Sequence, residues 1–318
     1  VTILKDKRAA ERSAPVPPNT ALLDDSDTGL PLIHVDTRSA EKLGGLVDTL
    51  NNDLRSGNIE IPGFPDIAMR LNRTLGDEKA TLAEVTRLIN SEPGLVSRLL
   101  KIANSAAFTK TGNNCADLQM AVNRLGFKFL LSAANSYSLK QMEREKSLRP
   151  IRPWLAEIWL SSNAVAAISF VVAKRIGLLA NEAMVAGLLH RLGELYLLVQ
   201  AMKRGVDIQH DDDWDALVER WHPTICCEIL VQWGLPAFIG DAASTQDSLA
   251  TADSVEMTPF ATLIAAAKLY NSVRDQQTGE KAEQAAELLG PLELWGKSFL
   301  ATVAECNDEI DAVRSAIS

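Results

Sequence analysis

WLAEIWLSSNAVAAISFVVAKRIG, residues 154–177, decides the fold class. Apolar or small residues stand at 155, 158, 159, 162, 165, 166, 169, 172, 173 and 176. Steps of three and four lay one broad stripe along an α-helix, and Gly177 supplies the left-handed residue with which helices commonly end. The most apolar run, about 164–173 and broken only by Ser169, is too short to cross a bilayer. The stripe therefore predicts a helix buried against other protein, with no membrane involved.

The same period continues on both sides. Upstream, Leu43, Leu46, Val47, Leu50 and Leu54 share a face over 38–56, and further stripes follow at 82–89, 95–106 and 118–125, the last stopped by Gly126. Asp66 is placed to cap the helix that follows two prolines. Downstream, helices are expected near 181–202, 214–220, 224–233 and 259–274. One long last helix is expected to carry Leu292, Trp295, Phe299, Val303, Cys306, Ile310, Val313 and Ile317. No alternation lasts long enough to build a sheet. The expected fold is all-α, a two-lobed helical bundle. Pro150 and Pro153 mark the boundary, dividing an arm or linker (1–37) from a first helical lobe (38–150) and a second with the C-terminal helices (151–318). The arm holds a Pro15–Pro18 cluster and the acidic stretch Asp24–Asp27.

Composition bounds the function. The chain has 318 residues, 47% of them hydrophobic, ample for a globular core. A net charge of −9 opposes phosphate-driven binding, so no nucleic-acid partner is expected. Cys115, Cys226, Cys227 and Cys306 have neither zinc-ligand nor disulfide-framework spacing, which fits buried thiols in a reducing cytoplasm. No signal peptide opens the chain. The absence of an initiating methionine points to processing or to a piece of something longer. Asp211–Asp213 precedes Trp214 and reads as a helix cap in a solvated loop rather than a metal cluster.

Three blocks carry a resemblance to a known family. The first is IPGFPDIAMRLNRTLGDEKATLAEVTRLINSEPGLVSRLLKIANSAAF, residues 61–108. The second is LQMAVNRLGFKFLLSAA, residues 118–134. The third is AVAAISFVVAKRIGL with AMVAGLLHRLGELYLL, followed by WHPTICCEILVQWGLP ending at Pro236. In this order and spacing they resemble the HDOD domain, a bacterial signalling relative of the HD metal-dependent phosphohydrolases, over residues 59 to about 250. Beyond that the match is helical character alone. Glu92-Pro93 reads as a helix start, and Trp233-Gly234-Leu235-Pro236 as a helix stop. Asn104 and Ser105 read as capping groups at a helix end, with a ligand contact as the alternative.

The resemblance implies an HD-like second lobe and shows where its chemistry departs. An HD site needs an early histidine, a His-Asp pair and a later aspartate around a metal that activates water. The early position falls near Ser161, and the pair is His190-Arg191, whose permanently charged guanidinium has no lone pair to offer a cation. Glu194 stands where a lysine often follows. His222 lies in WHPTICCEIL, but AASTQDS lacks the expected later histidine. Four histidines in all, His34, His190, His210 and His222, cannot assemble a cluster. No catalytic residue, metal or cofactor is therefore expected. His190 and His222 are expected to bond backbone or each other, with a residual metal or anion site as the alternative. Arg191 and Glu194, three apart, either form a solvated pair or hold Arg191 as a structural substitute for the ion.

The leading expectation is a non-catalytic regulatory protein that binds a partner protein or an attached input domain. The first alternative is a small-ligand sensor, with a nucleotide or phosphate in the old cleft contacted by Arg191. The second is a residual phosphohydrolase.

Overall fold

Helices account for about three quarters of the described residues of the computed structural model, which are 37–57, 59–61, 63–76, 81–109, 114–206, 208, 214–250, 256–274 and 279–318. The arm before residue 37, His34, His210 and Asp211–Asp213 lie outside the described residues. In chain order the first helices are α1 (Thr37–Ser56), α2 (Asp66–Gly76), α3 (Leu82–Asn90), α4 (Pro93–Ala103), α5 (Leu118–Leu125) and α6 (Phe127–Arg144). After a 3-10 turn, Lys146–Ile151, come α7 (Arg152–Ile176), α8 (Ala180–Leu189), α9 (Leu192–Arg204), α10 (Trp214–Gln232), α11 (Ala237–Ser244), α12 (Pro259–Val273) and α13 (Glu280–Leu289). A two-stranded ribbon, β1 (Glu293–Leu294) and β2 (Lys297–Ser298), leads into α14 (Phe299–Glu305) and α15 (Asn307–Ile317). The fold is all-α.

The ends of these helices follow from their sequences. Thr81 and Glu84 form a reciprocal capping box at α3, and the Asp117 carboxylate accepts from the Met120 N–H at 2.8 Å at α5. Pro93 occupies the first turn of α4 directly after Glu92. Gly177 ends α7 at φ 84°, with the Leu178 N–H donating back to Ala173, and Gly234 does the same for α10 at φ 74°.

Helix α7 is the axis of the molecule, packed against α6, α8, α12, α14 and α15. By length and composition the segment Lys146–Ile176 would suit a bilayer, yet 72% of its most apolar window is buried inside the protein. The expected division falls at the 3-10 turn that contains Pro150, but packing continues across it. Helix α6 meets α2 and α4 on one side and α7 and α8 on the other, α15 returns to α4, and α1 lies on α9. The α1–α9 contact is polar as well, since the buried Tyr196 hydroxyl donates to Asp53 and Arg204 reaches Thr49 and Gly45.

Three helix expectations need correction. The helix expected over 181–202 is broken at His190–Arg191. Those expected at 214–220 and 224–233 are one helix. Pro223 removes a rung from it, but Trp214, Leu217, Trp221, Ile225, Ile229 and Leu230 are buried along its length and hold it continuous. The single last helix is instead the ribbon plus α14 and α15. Trp295 and Gly296 take φ 53° and 68°, the paired left-handed conformation of a two-residue hairpin turn, which no helix contains. Trp295 consequently leaves the stripe and is 57% exposed, while Phe299, Val303, Cys306, Ile310, Val313 and Ile317 are buried as expected.

Candidate functional site: a cleft at the His190–Arg191 turn

Helix α8 ends at Leu189 and α9 begins at Leu192, so His190 and Arg191 form the turn between them. A break of this kind strands carbonyls that a continuous helix would satisfy, and here side chains from other elements take them over. Cys226 on α10 donates its thiol to the Leu189 carbonyl at 3.2 Å, and the Gln246 amide donates to the His190 carbonyl at 2.9 Å. Burial pushes the Cys226 thiol up to about 12, in keeping with the expected inert cysteine. Glycines flank the turn because backbone comes too close for a side chain. A Cβ on Gly187 would stand 2.7 Å from the Ala166 Cα of α7, and one on Gly193 would stand 1.9 Å from the His222 carbonyl of α10.

The turn opens on a cleft of about 770 Å³ between α7, α9, α12 and α15. Ser161, His190, Arg191 and Glu194 all line it, so four positions singled out in the sequence do converge. Lys268 and Asn271 of α12 complete this wall, with the Asn271 amide 3.4 Å from the Ser161 hydroxyl. His190 is 1% exposed. Its Nδ1 lies 2.7 Å from the Gly187 carbonyl and must donate to it, which leaves the lone pair on Nε2. That buried nitrogen has no hydrogen-bond partner among the described residues. Burial, then the charges of Lys268 and Arg191, hold the imidazole well below its usual pKa, so it is neutral at pH 7.

Arg191 is not a solvated residue. Its side chain is 13% exposed and spans two carboxylates, Glu194 at 2.7 and 2.6 Å and Glu157 of α7 at 2.7 and 3.2 Å. Burial opposes the charge, but the two acids outweigh it and raise the guanidinium above its ordinary pKa. Lys268 is tied in turn, at 2.5 Å to Asp247 and 3.1 Å to Gln246. His222 faces Asp247 at 2.9 Å rather than bonding His190. Burial alone would raise the Asp247 carboxyl, yet the His222 hydrogen bond and the Lys268 charge hold it far below the carboxylate range.

This donor set does not fit a divalent metal. Two fixed cations flank the free Nε2 of His190, and the nearby carboxylates already serve those cations. Among the described residues, no group of three or more His, Cys, Asp or Glu side chains could hold an ion. Asn104 and Ser105 lie outside this cleft. Asn104 clamps Cys115 through both its N–H (2.7 Å) and carbonyl (3.0 Å), and Ser105 donates to the Ile102 carbonyl at 2.7 Å, both local backbone roles.

Glu157, Asp247, Gln246 and Lys268 are members of this network that the sequence reading does not single out. Glu157 precedes Ser161 by one helical turn, and Lys268 is the only charge in the apolar run LIAAAKLY. Those signals were available. The pairing of residues on α7 with the α8–α9 turn was not, because it is set by how the helices pack.

A sequence model of the HDOD domain family matches residues 61–249. Among solved structures, the chain is similar to a protein of Shewanella amazonensis SB2B provisionally named a metal-dependent phosphohydrolase. The identity is 22%, covering 88% of this chain and 100% of the other, at a TM-score of 0.63. It is also similar to an HDOD domain protein of unknown function from Geobacter sulfurreducens, with 21% identity, coverage of 85% and 96%, and a TM-score of 0.56. A provisionally named signal transduction protein of Marinobacter aquaeolei VT8 matches at 19% identity over 89% of this chain and 67% of its own, at a TM-score of 0.55. An uncharacterized protein of Treponema pallidum (strain Nichols) is 24% identical over 169 residues, 51% of this chain. The chain spans 29% of the length of that curated relative.

Proposed function

The chain belongs to the HDOD domain family, and on that premise we propose that it is a non-catalytic regulatory protein acting through a protein partner. One observation carries the reading: the Arg191 guanidinium, on the wall of the cleft, bridges Glu157 and Glu194. A hydrolase of the HD type needs a metal-bound water at such a place, and this arrangement supplies a fixed organic cation instead. The cleft is then a structural joint between α7, α9 and α12, and the working surface lies outside it. Among the described residues, Trp295 is the most exposed large hydrophobic and our choice of anchor, an indole held out at a strained hairpin tip, with Leu160 exposed elsewhere, on the cleft wall.

The test is affinity capture from the native cell with the wild-type chain and with Trp295→Asn. Asparagine tolerates the left-handed turn, so the variant removes the indole and keeps the hairpin. A partner retained by wild type and lost by the variant supports the reading. Metal-dependent hydrolysis of phosphomonoesters or cyclic dinucleotides by the wild-type chain would defeat it.

The unpartnered His190 Nε2 favours a second reading, a small-ligand sensor in the same cleft. The ligand would offer a hydroxyl or N–H donor to that nitrogen. Arg191 is spent on its two carboxylates, so the phosphate contact expected of it has no place in this version. A thermal-shift series with ribose, nucleosides and nucleotides tests it, since a ligand that binds only the folded chain raises the melting temperature. A shift abolished by His190→Phe supports the sensor, and no shift with any of them removes it.

A further inference from the structure

A second, smaller pocket of about 200 Å³ lies between α4 and α6, away from the cleft. Arg98 and Lys101, three apart on α4, face Lys140 and Arg144, four apart on α6. Among the described residues no carboxylate lines it, on a chain whose net charge is −9. Lys140 is accounted for, bound to Glu143 at 2.6 Å and set over the Trp159 ring at 3.8 Å. Among the described residues, no carboxylate pairs with Arg98, Lys101 or Arg144. Arg98 is the deepest of them. One of its terminal nitrogens donates to the Ile317 carbonyl at the end of α15, but its Nε is buried without a partner. Burial, and then the Arg144 charge, lower its pKa from the ordinary value, the signature of a cation in want of a counter-charge. The pocket wall is close-fitted, since a Cβ on Gly94 would stand 2.1 Å from the Tyr137 hydroxyl.

We infer that the α4–α6 pocket binds a compact, multiply charged anion, a phosphate group or diphosphate. Convergent guanidinium and ammonium groups suit phosphate oxygens, with arginine offering paired N–H donors. The volume is below the roughly 300 Å³ of a drug-sized ligand site, which fits a headgroup-sized anion and excludes a whole nucleotide from the pocket itself. Any larger ligand must present its phosphate and keep its remainder outside.

The test is calorimetric titration of the full chain with inorganic phosphate and with pyrophosphate, at low ionic strength. One site per chain is expected, with pyrophosphate the tighter. Lys101→Gln and Arg144→Gln remove exposed cations and should keep the fold by circular dichroism. Each should weaken binding by about tenfold or more, the loss of one charge-assisted contact. Lys128→Gln, which removes an α6 cation paired elsewhere with Glu182, should leave it unchanged. Absence of binding to the wild-type chain would overturn the inference. Equal losses in all three variants would also overturn it, because they would mean a diffuse field rather than a site.

Discussion

Arg191 balances two acids that would otherwise repel each other across the cleft. Breaking a fully buried pair costs about 3–5 kcal/mol, but Glu157 is 62% exposed and water screens its share. Arg191→Leu should therefore lose about 1–3 kcal/mol in denaturant unfolding at pH 7. Adding Glu194→Gln should recover part of that, and no recovery would show that the pair is not what holds the turn. His190 gives the site a pH signature. Its folded pKa is depressed, so below the unfolded value of 6.5 the unfolded chain binds the proton that the folded chain refuses. Stability should be fully present above about 6.5 and should fall as pH drops below it. His190→Gln should flatten that slope in unfolding measured between about pH 7 and 5. The adjacency of His190 and Arg191 was legible in the sequence, and so was its conflict with metal binding. The Arg191–Glu194 pairing was legible too, but Glu157 and Lys268 were not, because they arrive from other helices.

At the scale of elements, periodicity found the helices and missed their interruptions. The regular stripe through Leu292, Trp295 and Phe299 mimics a helix, while Pro291 just before it and Gly296 within it are the breakers that decide otherwise. The His190–Arg191 break carries no such marker. It depends on Cys226 and Gln246 reaching the freed carbonyls, a tertiary fact. The C-terminal helices cover apolar surface on α7 and α4, and Ile317 takes hydrogen bonds from both Arg98 and Ser136. Cutting the chain after Gly290 should expose that surface, at a cost of several kcal/mol on a scale of roughly 25 cal/mol per Å². The expected outcome is aggregation or a sharply lowered melting temperature. A truncated chain of unchanged stability would mean that α14 and α15 are accessory rather than core.

At the scale of the whole molecule, the helical class follows from 3.6-residue periodicity and the family from three ordered blocks, both visible before any coordinates. The charge economy of the interior required the fold. On the proposed reading, internal cations keep a metal out of the cleft, and the α4–α6 pocket takes an anion because, among the described residues, Arg98, Lys101 and Arg144 lack acids while Lys140 has Glu143. The central claim is the first of these, that Arg191 and Lys268 stand in place of an ion beside His190. Crystals of the wild-type chain grown in excess Mn²⁺ and measured at the manganese edge test it most directly. The expected map has no anomalous peak in the cleft. A peak at metal–ligand distance from His190 Nε2, and lost in His190→Phe, would contradict it.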